Sequence, residues 1–339
     1  MIFPKLPEDF RIDRENGFEI YHHAMQKTWD IDPAYPALQY IFERYELNLE
    51  QCLWLCWLYA VTYCTPTLFY IYNEFPDFED IEIGRFQKWH DKNWSKLLYQ
   101  TDKRHEKGKL VGTLESYMKV LNGRTQREFY AETITDDTNE SYTKLITEIL
   151  PVKGFGRLTI FMLAESLKRC LGYNYEPISM DIPNALSSRN GLCYAINHDK
   201  VIDQKLTRTQ VYDYENEVVS LVKKLKENLY DIDPELTDIF SVETTFCAYK
   251  GLFRKKRYIG YYIDRLQYEI EKMENNVKTG VDFTPLWDFR YECLIHDYLG
   301  ELNGWSGIRR DKAKIFFETG KLYGLEPLIN NGIISFGER

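Results

Sequence analysis

One stretch constrains this chain more than any other. Leu53 to Tyr63, "LWLCWLYAVTY", is apolar nearly all the way round a helix. A helix without a polar stripe has to be wrapped by other elements on every side, so the chain needs a deep core built around it. The surrounding segment, "ALQYIFERYELNLEQCLWLCWLYAVTYCTPTLFYIYNEF", breaks at its polar interruptions into two or three buried helices. At 339 residues, with 44% hydrophobic side chains, there is apolar surface enough for one large or two moderate domains. No alternation of apolar and polar residues runs long enough for a large sheet, so the expected class is mainly α. Three regions are expected: an N-terminal helical region over 1–137 packing on the core, a central helical region over 138–300, and a C-terminal helix and tail over 301–339.

Charge and cysteine usage then exclude several functions. Lys plus Arg total 43 against 52 Asp plus Glu, a formal net charge of −9, so this is not a protein coated in basic charge. Binding to nucleic acid would need a local positive field over one groove. The seven cysteines form no CxxC pair and suggest neither a disulfide framework nor a zinc cluster. Cys52 and Cys56, one turn apart, read as core-facing, as do Trp54, Trp57, Trp89 and Trp94. No metal site is expected. No signal segment opens the chain and no run of eighteen apolar residues occurs, so a reducing cytoplasm without membrane contact is the expected setting.

The most informative local pattern is "ILPVKGFGRLTIFMLAESLKRCLG", Ile149 to Gly172. "TNESYTKLITEIL" precedes it as a helix that Pro151, Gly154 and Gly156 stop, and apolar positions from Leu158 to Leu171 then describe a buried helix closed by Gly172. Gly154 and Gly156 allow backbone angles that side chains resist. Their amides, with those opening the next helix and the charges of Lys153 and Arg157, suit a phosphate. A plain turn between packed helices is the alternative.

Three further groups of residues carry possible chemistry. Asp181, in "ISMDIPNAL", is either a helix cap or a poised acid–base group. In "SVETTFCAYKGLFRKKRYIGYY", Glu243, Cys247, Lys250 and Arg254 share one helical face unless Gly251 breaks it. Arg254, Lys255, Lys256 and Arg257 form a cation run interleaved with Tyr258, Tyr261 and Tyr262, which suits a phosphate and a stacked base but also a solvated face. Arg290 can clamp a carboxylate or phosphate. "DYENEVVSLVKKLKENL" places Val218, Leu221, Val222, Leu225 and Leu229 on one face.

The Ile149–Gly172 segment resembles the helix-hairpin-helix of DNA glycosylases, with Lys153 near the place of their aligning lysine and Asp181 at the place of their catalytic aspartate. Two extra residues precede the first hairpin glycine, the spacing to Asp181 is long, and Asn184 stands where a histidine is usual. These departures count against base excision. Taken with "MDIPNAL" and "ETTFCAYKG", the pattern resembles the alpha-glutamyl/putrescinyl thymine pyrophosphorylases, the amino acid:DNA transferases of bacteriophages, over most of residues 40–300. That resemblance implies a helix-hairpin-helix glycosylase-like helical fold in the cytoplasm of an infected bacterium. It implies that an amine from an amino acid or polyamine replaces the pyrophosphate of 5-pyrophosphoryloxymethyluracil in DNA. The physical demands of that reaction suggest proton handling by Asp181 or Glu243, thiolate addition by Cys247, and leaving-group stabilisation by the Lys250–Arg257 cations. Tyr261 would support the base, Asn184 would lie beside Asp181, and Arg290 would hold a donor carboxylate. No cofactor is named, and whether magnesium accompanies the pyrophosphate is open. A glycosylase or lyase, or a non-catalytic DNA-binding helical protein, are the alternatives.

Overall fold

A computed structural model describes residues 6–228, 237–278, 280–294 and 309–334. Among these residues there are α-helices and short 3-10 turns and no strand, as the periodicity predicts. The chain divides into two units, and both are discontinuous in sequence. The first contains Met1–Pro33, Ile178–Arg265 and Cys293–Arg339; the second contains Ala34–Pro177 and Leu266–Glu292. The division expected at 137/138 falls inside the second unit, and that at 300/301 lies outside the described residues.

The second unit holds α2 (Ala34–Arg44), α3 (Leu49–Thr62), α4 (Thr65–Glu74) and α5 (Ile83–Asn93). It continues through α6 (Leu110–Leu121), α7 (Gln126–Thr133), α8 (Thr138–Ile149), α9 (Arg157–Leu171) and α14 (Thr284–Glu292). α3 is its centre. Every residue from Cys52 to Thr62 is buried, as an all-apolar helix requires. Asn48 opens it with a reciprocal capping box to Gln51, worth about 1 kcal/mol. Trp54 donates its indole N–H to the Phe75 carbonyl at 2.8 Å and stacks on Trp57, so both rings are core. Trp94 corrects the expectation of a core ring: it is 48% exposed.

The first unit holds α1 (Arg14–Lys27), α10 (Leu186–Ala195), α11 (Arg208–Asn228), α12 (Ile239–Phe253), α15 (Lys312–Thr319) and α16 (Leu325–Asn330). The unit boundary falls within α13 (Tyr261–Val277). α10 and α12 meet backbone to backbone. A Cβ on Gly191 would lie 1.9 Å from the Phe246 carbonyl oxygen, so only glycine lets them approach this closely. α1 covers α12 through Phe18 stacked on Phe246 at 4.4 Å and Tyr249 donating to the Arg14 carbonyl at 2.9 Å. On α11, Val218, Leu221, Val222 and Leu225 are buried as expected, and Leu229 lies outside the described residues.

This unit holds two fully buried carboxylates. The Asp30 carboxylate accepts the backbone N–H groups of Gly260, Tyr262 and Ile263 at the start of α13. Burial nevertheless pushes its pKa up to about 7. Asp264, fully buried, pairs with Arg309 and accepts the Tyr258 hydroxyl at 2.6 Å.

Candidate active site

In the second unit, α8, the turn and α9 follow the expected spans, and Gly172 closes α9 in the left-handed region. The N-cap of α8 is Asp137, whose carboxylate accepts the amides of Asn139 and Glu140. Val152 and Phe155 are buried and pin the turn, with Phe155 stacked near Trp57. Lys153, Gly154 and Gly156 are left exposed on its rim. Gly154 has φ +80, and a Cβ there would crowd Glu106 and Thr113 at 3.2 and 3.3 Å. Behind the rim, the Lys153 amide donates to Ser116 at 2.8 Å. Thr159 donates to the Gly154 carbonyl at 3.2 Å and receives the ammonium of the buried Lys103. A cleft of about 500 Å³ adjoins the rim, lined by Trp94, His90, Lys109, Lys153 and Gly154 among others. Cations, an exposed ring and a glycine turn suit a nucleic-acid backbone and a base.

The first unit brings the other candidates together. Asp181 sits in the left-handed region with φ +56, where a residue with a Cβ is strained and usually held there by its surroundings. Here the holding group is Glu215 on α11. Its carboxylate accepts the Met180 amide at 3.0 Å and the Ile182 amide at 2.7 Å, gripping the chain on both sides of Asp181. The Asp181 carboxylate accepts the Asn184 side-chain amide at 2.9 Å. This corrects the cap alternative: α10 begins five residues on, with Ala185 at its N-cap.

α12 runs unbroken through Gly251. A Cβ at Gly251 would fall 2.2 Å from Cγ of Arg257, so the glycine makes room for that side chain. Ser187 on α10 faces α12. Its Oγ lies 2.9 Å from the Cys247 sulfur and receives the ammonium of Lys250. Burial pulls the Lys250 pKa down; the positive charges of Arg254 and Arg257 act the same way, and Cys247 and Asp203 act against them.

The run Arg254–Arg257 is not one patch. Arg254 pairs with Asp203 at 3.1 Å, and Asn190 in turn holds Asp203 at 2.7 Å. Lys255 lies over the Phe317 ring, and Lys256 is exposed. Arg257 folds inward over Tyr261 at 3.9 Å, and its buried Nε meets no acceptor among the described residues. Tyr258 and Tyr261 are buried, and the Tyr258 hydroxyl is committed to Asp264, so neither offers an open stacking face. Among the described residues no group of three or more His, Cys, Asp or Glu can hold a metal ion. None of the described helices is long and apolar enough to cross a membrane.

Comparison with known proteins now decides the family. The amino acid:DNA transferase family matches residues 26–257, more than half of the chain. The chain belongs to that family. It is also 28% identical over 299 residues to a protein described as serinyltransferase from Salmonella phage ViI, covering 80% of this chain and 71% of that protein. No solved structure matches. Membership gives the transferase its general activity, transfer of an amino acid to DNA.

Of the residues singled out in the sequence, the transferase's first unit contains Asp181, Asn184, Glu243, Cys247, Lys250, Arg254, Lys255, Lys256, Arg257 and Tyr261. Lys153, Gly154, Gly156 and Arg157 belong to the second, as does Arg290 on α14, only 2% exposed. Sequence reasoning missed Ser187, Asn190, Asp203 and Glu215. All four are ordinary polar residues without motif spacing, and no local pattern marks them.

Proposed function

We propose that this transferase replaces the pyrophosphate of 5-pyrophosphoryloxymethyluracil in phage DNA with an amine, giving a hypermodified thymine. What carries the reading is the gathering, in one unit, of a clamped carboxylate, a thiol beside a lysine, and an arginine with an unused buried donor.

The Cys247 thiolate adds to C6 of the pyrimidine and the ring electrons move onto the C4 oxygen. Their return forms an exocyclic methylene at C5 and expels pyrophosphate with its bonding pair. Arg257 and Arg254 stabilise the charge that builds on the departing oxygens. The donor amine then adds to the methylene, Asp181 takes its proton, and elimination of the thiolate restores the aromatic ring. Glu243 orients the donor amine from the face it shares with Cys247. The α8–turn–α9 segment acts as a helix-hairpin-helix that holds DNA phosphate on the rim amides, with Lys153 and Arg157 adding charge. The donor is an amino acid, with serine the first to test because the phage ViI relative is described as a serinyltransferase. Polyamines form the second class of donor.

The test is nucleoside mass spectrometry of DNA carrying the pyrophosphorylated base after incubation with the protein and a mixture of amino acids and polyamines. A mass gain matching one amine, with pyrophosphate released and the glycosidic bond intact, is expected. Free base with an alkali-labile site would replace this reading with a glycosylase. Salt-sensitive DNA binding without turnover would leave only a binding protein.

A further inference from the structure

The thiol in this reading needs a route for its proton. The Ser187 hydroxyl lies beside it, between the Cys247 sulfur at 2.9 Å and the Lys250 side-chain nitrogen. We propose that Ser187 and Lys250 form a proton relay for Cys247, with Ser187 as the bridge and Lys250 as the proton store. Forward, with Lys250 as the neutral amine, the thiol passes its proton to the Ser187 oxygen while the Ser187 hydroxyl proton moves to the lone pair of the Lys250 nitrogen. This leaves a thiolate and an ammonium joined through one hydroxyl. Reversed, the same two transfers return the thiol. Two protons move, none is lost, and no outside acid or base is consumed.

Three observations support the relay. The bridging residue comes from α10 and the other two from α12, and the Gly191 contact fixes those helices at backbone distance, so the spacing is rigid. All three side chains are half-buried rather than sealed, so a reactant can reach the sulfur. The charged groups facing Lys250 are Arg254 and Arg257, which favour its neutral form, and Asp203 and Cys247, which favour its ammonium; burial adds to the first pair. Burial first, then the two arginines, hold the Lys250 pKa below its ordinary value, so its ammonium gives up a proton more readily than an exposed lysine's. Arg254 is itself tied to Asp203, which leaves Lys250 facing Ser187.

The inference rests on Cys247 as the attacking group, but its test needs neither DNA nor a donor. Full-length protein is alkylated with iodoacetamide from about pH 6 to about pH 9, and modification at each cysteine is followed by peptide mass spectrometry. Exposed Cys293 is the internal reference. Ser187→Ala and Lys250→Met are each expected to slow Cys247 roughly tenfold at neutral pH and to move its pH profile up, with Cys293 unchanged. Ser187→Thr, which keeps the hydroxyl, is expected to restore the wild-type profile. A Cys247 profile unchanged by Lys250→Met, or not restored by Ser187→Thr, overturns the relay. A protein that shows the relay yet transfers no amine to DNA retains this inference and loses the function proposed above.

Discussion

The hairpin of the second unit and the Asp181 region of the first are built in opposite ways. The hairpin is local: Val152 and Phe155 pin a seven-residue turn between consecutive helices, and the turn's rim stays exposed. Its surroundings are aromatic, with Trp54, Trp57 and Tyr117 stacked in series beneath it. The first unit's candidates are assembled from distant segments: Glu215 on α11 holds the amides on either side of Asp181, Ser187 on α10 meets Cys247 on α12, and Asp203 meets Arg254. A surface that only has to grip a repeating backbone can be built from one stretch of chain. Chemistry at a single atom requires several groups held at once, and that requires long-range packing.

If that division is right, Asp181→Asn should lower turnover by about 10²–10⁴-fold while leaving DNA affinity within about twofold, measured by nucleoside mass spectrometry and fluorescence anisotropy. An unchanged rate removes Asp181 from the chemistry and erases the contrast. Next in size is Arg309→Met, which removes the cationic partner of the buried Asp264 carboxylate and should cost about 3–5 kcal/mol in urea unfolding.

The same contrast extends to pH. Asp30 has a folded pKa of about 7, above its ordinary 3.8, so the folded state binds the extra proton between those values. Its contribution is full below about pH 4 and is lost as pH rises through about 7, a change of at most about 4 kcal/mol. Asp30→Asn should flatten that part of the stability profile. A wild-type profile that rises across the same window would mean that the three backbone amides, not burial, control the group.

Glu215→Ala should slow turnover about tenfold or more by releasing the strained Asp181 backbone, with little effect on DNA affinity. The smallest effect belongs to the hairpin. Lys153→Ala should weaken DNA binding a few-fold and reduce the salt slope by about one, equally for all sequences. If it lowered turnover at saturating DNA instead, the rim would have a part in the chemistry.

The legibility of the two regions follows the same line. The spans of α8 and α9, the stop at Pro151, and the burial of α3 with Cys52, Cys56, Trp54 and Trp57 were all readable, because periodicity, glycine and proline act over a few residues. The cation run was readable as charge but not as geometry: Arg257 turns inward into the space that Gly251 leaves, and Arg254 turns to Asp203. Asp181 was recognisable as a candidate, yet its strained conformation and its Glu215 clamp depend on a helix more than thirty residues away.

By itself the sequence therefore determined the helical class, the central apolar helix and the hairpin, along with the motifs that pointed to the family. Tertiary structure decided that the chain forms two interleaved units, and which polar side chains meet Cys247 and Asp181. The reason is physical: a helix or a turn is specified by forces between near neighbours, whereas the partner of a serine or a glutamate is chosen by which backbones can approach, and here a single glycine at 191 sets that approach.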